Sequence, residues 1–146
     1  MPRENRRGFF LMYGEAIKTL QDELVALVGI ELARSVLFRF GWKNGQGCAK
    51  EMGLTGQGDT AIANLHEIWT EMGLARLVSL KSEGDAHTIR LEETLESSFE
   101  GRGCDFTRGF LAGLLSGITN KPHYCEEEKC TSRGDKMCVF AVQRKI

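Results

Sequence analysis

Gly109, Gly113 and Gly117 fall at four-residue intervals inside the apolar run from Asp105 to Ile118, and this spacing constrains the fold more than any other feature of the chain. Residues four apart share one face of an α-helix, so the three glycines make a smooth stripe. Such a stripe marks a close packing contact, either to another helix or across a sheet. Phe106, Phe110, Leu111, Leu114 and Leu115 supply the apolar positions of this helix, and Pro122 stops it.

The other elements follow from periodicity. Phe10 to Val28 reads as an amphipathic helix, with Leu11, Ile17, Leu20, Leu24 and Leu27 or Val28 at three- and four-residue steps, and Gly29 punctuates it. Glu31 to Met52 reads as a second helix carrying Ala33, Leu37, Phe40 and Trp42. Gly41, Gly45 and Gly47 each cost that helix about 1 kcal/mol of propensity against alanine. Either another backbone or a ligand approaches there, or the helix breaks. Gly56-Gln57-Gly58-Asp59 is a loop ending in an N-cap candidate, and Thr60 to Met72 is a third helix with Ile62, Leu65, Ile68, Trp69 and Met72 on one face.

From Leu74 the period changes. Leu74 to Leu80 and His87 to Leu91, around the turn signal Ser82-Glu83-Gly84-Asp85, predict an antiparallel hairpin. Glu92 to Gly103 is acidic and irregular, a loop with at most a partial strand. His123 to Cys130 and Met137 to Arg144 form two further strands around Ser132-Arg133-Gly134-Asp135. The order predicts an α+β domain of N-terminal helices plus a four-stranded antiparallel sheet packed with the helix of the C-terminal half. Without repeats, low-complexity tracts or a linker, residues 1–146 read as a single domain. Residues 1–55 are its helical segment, and 56–146 carry helix, hairpin, helix and hairpin.

The bulk numbers exclude some classes of function. A net charge of −1 makes no electrostatic case for nucleic acid or an anionic membrane as the direct partner. The apolar run from Gly8 to Tyr13 is too short for a signal-peptide core, and no segment approaches the roughly 20 apolar residues of a membrane span. The expected location is the cytoplasm, where the five cysteines are thiols or ligands rather than disulfides.

Chemistry concentrates near the C-terminus. Cys130 and Cys138 flank a short hairpin, and Cys104 stands at the start of the glycine-striped helix, where the positive end of the dipole favours a thiolate. Three thiols and a carboxylate close a tetrahedral zinc site. Glu127 lies three residues before Cys130, and odd spacing on a regular strand points the two to opposite faces, so a bulge or turn must bring them together. Glu126 and Glu128 compete for the carboxylate role on spacing alone. Two half-buried strand cysteines beside a solvated acidic run are the alternative reading. Cys48 and Cys125 are expected to be packing residues.

The stretch from Gly103 to Arg144 resembles the 4-vinyl reductase domain family, which also forms the ligand-sensing end of phenol- and xylene-responsive bacterial transcription activators. The resemblance is carried by Cys104, Gly109-Phe110-Leu111-Ala112-Gly113, Lys121, Glu127-Glu128-Lys129-Cys130 and Gly134-Asp135-Lys136-Met137-Cys138-Val139-Phe140. Ala33 to Trp42, followed by Gly45, is similar to the family's second-helix signature, while Thr55 to Gly101 matches loosely. The resemblance implies zinc held by Cys104, Glu127, Cys130 and Cys138, an architecture related to vesicle-tethering TRAPP subunits, and homodimerisation through the N-terminal helices within 1–55. With four protein ligands the zinc is structural, tying the fourth helix to the final hairpin, and hydrolysis at the metal is disfavoured.

A ligand pocket is expected to draw on Phe38, Trp42, His66, Trp69, Phe106, Phe110 and Tyr124, with Ile62 and Met72 nearby and His66 or Trp69 as its polar handle. The alternative is that these residues form ordinary core. In the aromatic-responsive relatives a histidine and a tryptophan hold the phenolic hydroxyl. Those positions fall at or near Trp69 and within Glu92 to Leu95, so phenol specificity does not carry over, and a hydrocarbon, lipid chain or tetrapyrrole stays open. The expected function is a zinc-stabilised, dimeric, regulatory sensor of a small hydrophobic or aromatic ligand, either stand-alone or a portion of a longer regulator. One alternative is participation in vinyl reduction of a chlorophyll-type tetrapyrrole. Direct catalysis is disfavoured because no G-x-G-x-x-G fingerprint follows a strand and no flavin motif is present. Another is a thiol redox switch built on Cys104, Cys125, Cys130 and Cys138.

Overall fold

The computed structural model describes residues 15–66, 75–96 and 103–145. They run as α1 (Ala16–Val28), α2 (Ile30–Glu51), α3 (Asp59–Ala63), β1 (Arg76–Glu83), β2 (Ala86–Glu92), α4 (Asp105–Thr119), β3 (His123–Lys129), a 3-10 turn (Thr131–Arg133) and β4 (Cys138–Arg144). The strands form one antiparallel sheet in the order β1-β2-β4-β3. This is the α+β architecture the pattern predicts. No helix among the described residues is long and apolar enough to cross a membrane.

The helix α4 lies between the sheet and α2 and is buried nearly all round, which its run of Phe, Leu, Ala and Gly permits. Its glycine stripe faces α2, so the helix alternative was the one realised. A Cβ at Gly109 would collide with the Phe38 carbonyl, and one at Gly113 would lie 2.7 Å from the Trp42 carbonyl carbon. The contact is reciprocal: a Cβ at Gly41 would stand 2.9 Å from the Phe110 nitrogen, and one at Gly45 2.6 Å from that of Leu114. Two backbones therefore meet without intervening side chains, and α2 runs unbroken through its glycines. Gly47 takes no part; it is exposed with open space where a side chain would go.

Several boundaries differ from the sequence reading for local reasons. Helix α4 ends at Asn120, which takes the left-handed cap conformation (φ 58°), and Pro122 follows only afterwards. Asp59 is the first helical residue of α3, with Gly58 as its cap. The third helix does not run evenly from Thr60. Asn64 closes the first turn and turns its side-chain amide back to the Thr60 carbonyl at 3.1 Å, a bond that competes with helix continuation. Residues 1–14 and 67–74, into which the first and third helices were expected to extend, lie outside the described residues.

The inner face of the sheet carries His87, Ile89 and Leu91 on β2, Cys138, Phe140 and Val142 on β4, and His123 and Cys125 on β3, all buried against α4. On the opposite side of the domain, α2 exposes Leu32, Val36 and Phe40 at four-residue steps, with Leu27 and Val28 exposed at the end of α1.

Candidate metal centre

Three elements converge at the N-terminus of α4. Cys104 is its cap residue, Cys130 precedes the 3-10 turn, and Cys138 opens β4. All three sulfurs are buried and lie at 3.6, 3.8 and 3.9 Å from one another. Glu127 joins them because the pairing of β3 with β4 slips between Glu127 and Lys129, which is the bulge that the odd spacing to Cys130 requires. Ligand atoms of Cys104, Glu127, Cys130 and Cys138 all fall within 4.8 Å of one another. Glu126 and Glu128 are exposed, which leaves Glu127 as the carboxylate of the cluster. Cys125 sits in the core and Cys48 packs half-buried against it.

The surrounding backbone is shaped to this convergence. Gly103 adopts φ +78°, where a side chain is strained, and a Cβ there would meet Arg133 Nη2 at 2.6 Å and Glu127 Oε1 at 3.0 Å. The Gly103 N–H donates to Ser132 Oγ at 3.1 Å and the Cys104 N–H to Glu127 Oε1 at 3.2 Å. Asp135 accepts from the Cys130 N–H at 2.9 Å and so fixes the hairpin. Hydroxyls ring the sulfurs: Thr94 lies 3.3 Å from Cys104 Sγ, Ser132 2.9 Å from Cys130 Sγ and Thr131 3.5 Å from Cys138 Sγ. The Thr131 N–H also points at Cys138 Sγ from 3.5 Å. Donors directed at sulfur hold thiolates in place and tune them.

The electrostatics call for a cation. Hydrogen bonds to Cys130 and Cys138, together with burial, push the Cys104 thiol far up, while the bonds from Cys104 and Cys130 pull Cys138 down. The protons left on the cluster stand in for a positive charge. Burial also raises the Glu127 carboxyl, and its Oε2 is buried with no hydrogen-bond partner. Tetrahedral zinc with Zn–S near 2.3 Å has S···S edges of about 3.8 Å, close to those seen here. The donor set, the spacing and the unpartnered carboxylate oxygen all fit such an ion. Bound there, it would supply a structural cross-link between α4 and the final hairpin.

Two neighbouring groups escaped the sequence reading because both lie in the stretch taken as an irregular acidic loop. Thr94 is one. The other is Glu96, 1% exposed, whose carboxylate accepts from the Phe106 N–H at 2.7 Å, the Thr107 N–H at 2.9 Å and the Thr107 hydroxyl at 2.5 Å. It caps α4 from outside the helix. Asp105, also buried, pairs with Arg34 of α2 at 3.1 Å and with Arg108 at 3.4 Å.

The residues expected to form a pocket are dispersed. Phe106 and Phe110 are buried with ring centres 6.0 Å apart, Phe38 carries the Arg108 guanidinium 4.3 Å above its ring, and Trp42 borders the same α2–α4 layer. Tyr124 is exposed and donates to Gln143 Oε1 at 2.7 Å. Trp69 and Met72 lie outside the described residues. His66 alone of the described set borders a cleft, of about 460 Å³, between α3 and the hairpin; Asp59, Ile62, Leu77, Leu80 and Ser82 line it too.

Fold and site together define an α+β domain whose central helix is joined to its last hairpin through a cysteine-carboxylate cluster. Residues 3–81, more than half the chain, match the family described as activator of aromatic catabolism, and residues 89–144 match the vinyl-4-reductase domain. The chain belongs to this family of activators of aromatic catabolism with a vinyl-4-reductase domain. Among solved structures it is similar to the phenol-responsive sensory domain of the transcription activator PoxR, crystallised with phenol (TM-score 0.77, 20% identity, 93% of this chain and 76% of that one). It is also similar to trafficking protein particle complex subunit 3 of Naegleria fowleri, covalently bound to palmitic acid (TM-score 0.63, 18% identity, 91% and 95%). At those identities the likeness is one of fold. Two uncharacterized proteins of Methanocaldococcus jannaschii are 44% identical over 45 and 46 residues, 30% and 32% of this chain. The chain spans only 20% and 25% of their lengths in those matches.

Proposed function

We propose that this chain is a zinc-stabilised sensor domain for a small hydrophobic or aromatic molecule, acting as a dimer and regulating a partner or an output domain. The observation that carries the reading is the meeting of Cys104, Glu127, Cys130 and Cys138 within 4.8 Å, from positions spread over the last third of the chain. A metal there holds α4 against β3 and β4 and so fixes the wall on which a ligand rests. The cleft between α3 and the hairpin, with Ile62, Leu77 and Leu80 in its lining and Asp59, His66 and Ser82 as polar groups, has the mixed character of a small-molecule site. Membership in a family named for activating aromatic catabolism supports an aromatic ligand. The exposed stripe Leu32, Val36 and Phe40, continued by Leu27 and Val28, supports dimerisation through the helical segment 1–55 of a single domain.

Native mass spectrometry of protein taken from its source cells tests the reading in one experiment. A dimer carrying zinc and a retained small molecule is expected. A monomer that carries no small molecule, and takes up none from a panel of phenol, indole, anisole and toluene, contradicts it.

A further inference from the structure

The inner face of the sheet holds two buried histidines side by side. His87 of β2 and His123 of β3 are each 4% exposed, and their ring centres are 6.1 Å apart. Both flank β4, where His87 pairs with Val142 and His123 with Arg144. The proton on His123 is located by its partner. Its Nδ1 lies 2.8 Å from the Lys121 carbonyl oxygen, and a carbonyl only accepts, so Nδ1 carries the hydrogen. The Nε2 of the neutral ring is then a bare acceptor. It is buried and has no hydrogen-bond partner among the described residues.

His87 connects this acceptor to the cleft. Its Nδ1 lies 2.7 Å from Ser82 Oγ, and Ser82 is part of the cleft wall. Burial, reinforced by His123, holds His87 below the usual imidazole range, so the pair stays neutral near pH 7. A buried acceptor without a donor costs about 1–3 kcal/mol, which an entering O–H or N–H recovers and a hydrocarbon does not. The remaining lining, Ile62, Leu77 and Leu80, suits an apolar body.

Resting on the sensor reading above, we infer that the ligand of this chain is an apolar small molecule bearing a hydrogen-bond donor, hydroxyl or N–H, read by His123 Nε2 on β3. His123 is thereby a specificity-determining residue. It does this from the sheet, whereas the position at which the phenol-binding relatives are expected to carry their histidine falls at or near Trp69 of this chain.

The test is isothermal titration of the zinc-loaded protein with four probes: phenol and indole, which donate, and anisole and toluene, which do not. The wild type should bind the donors at least about tenfold more tightly than the non-donors, since a site built around a polar partner rejects analogues lacking it. His123→Phe should erase that preference while leaving toluene binding within about twofold. The unmodified protein offers a second readout that does not depend on the variant folding. In long-range ¹⁵N–¹H spectra of the imidazoles, the His123 Nε2 resonance should move on adding phenol and stay in place on adding anisole. Equal affinity for all four probes, a donor preference retained in His123→Phe, or an Nε2 signal indifferent to phenol overturns the inference while leaving the sensor reading standing. Failure of every probe to bind removes both.

Discussion

The backbone N–H of Cys104 donates to Glu127 Oε1 at 3.2 Å, so one carboxylate both faces the three sulfurs and holds the first residue of α4 to the edge strand β3. Its second oxygen is buried without a partner. The two oxygens thus have separable roles, one in the fold and one toward a cation.

Glu127→Gln keeps an oxygen for the Cys104 N–H and removes the charge. Zinc affinity should fall about tenfold or more while the fold persists. Glu126→Gln and Glu128→Gln, at exposed positions, should leave the affinity unchanged. Competition with a chromogenic chelator at neutral pH measures all three.

The glycine contacts of α2 and α4 give opposite expectations at two positions. Gly113→Ala drives a methyl into the Trp42 carbonyl, which neither helix can yield without separating from the other. It should cost about 3 kcal/mol, and chemical denaturation reads the loss. Gly47→Ala, on the same helix as Trp42 but facing open space, should stabilise by about 0.5–1 kcal/mol.

This contrast marks where the sequence was legible. Three cysteines are rare enough to be noticed as a set, and the odd step from Glu127 to Cys130 already demanded the bulge found between Glu127 and Lys129. The strand order and the helices followed from periodicity. The continuity of α2 through Gly41 and Gly45 was not legible, because their propensity cost is offset by a contact with a helix distant in the chain, which no local window contains. Glu96 was hidden by composition: beside Glu92 and Glu93 it looks like solvated charge, and only the tertiary fold sets it against the end of α4. The aromatics of α2 and α4 recur at helical spacing, which marks a buried face and does not distinguish core from cavity.

Glu96 also gives the stability a pH dependence. Burial lifts its carboxyl from 4.5 to about 8 against the pull of its three donors. A carboxyl raised on folding favours the native state below its unfolded value and loses that contribution as pH climbs toward the folded one. The stability of the wild type relative to Glu96→Gln should therefore fall between about pH 5 and pH 8. Taking the difference between two zinc-loaded proteins cancels the pH dependence of metal binding. Urea melts across that range, showing either a declining or a flat difference, decide it.

Gln21 of α1 is 1% exposed, and neither its amide nitrogen nor its amide oxygen has a hydrogen-bond partner among the described residues. Leucine has a similar volume and no polar group to desolvate. Gln21→Leu should raise stability by about 1 kcal/mol or more, visible as a higher melting temperature.

Metal content measured by inductively coupled plasma mass spectrometry, on the wild type and on Cys138→Ser, bears most directly on the cysteine-carboxylate cluster. One zinc ion per chain is predicted for the wild type. Loss of the ion and a lower melting temperature are predicted for the variant and for the chelated wild type. A wild-type chain that purifies folded without metal, and melts at the same temperature before and after exhaustive chelation or added zinc, would contradict the account.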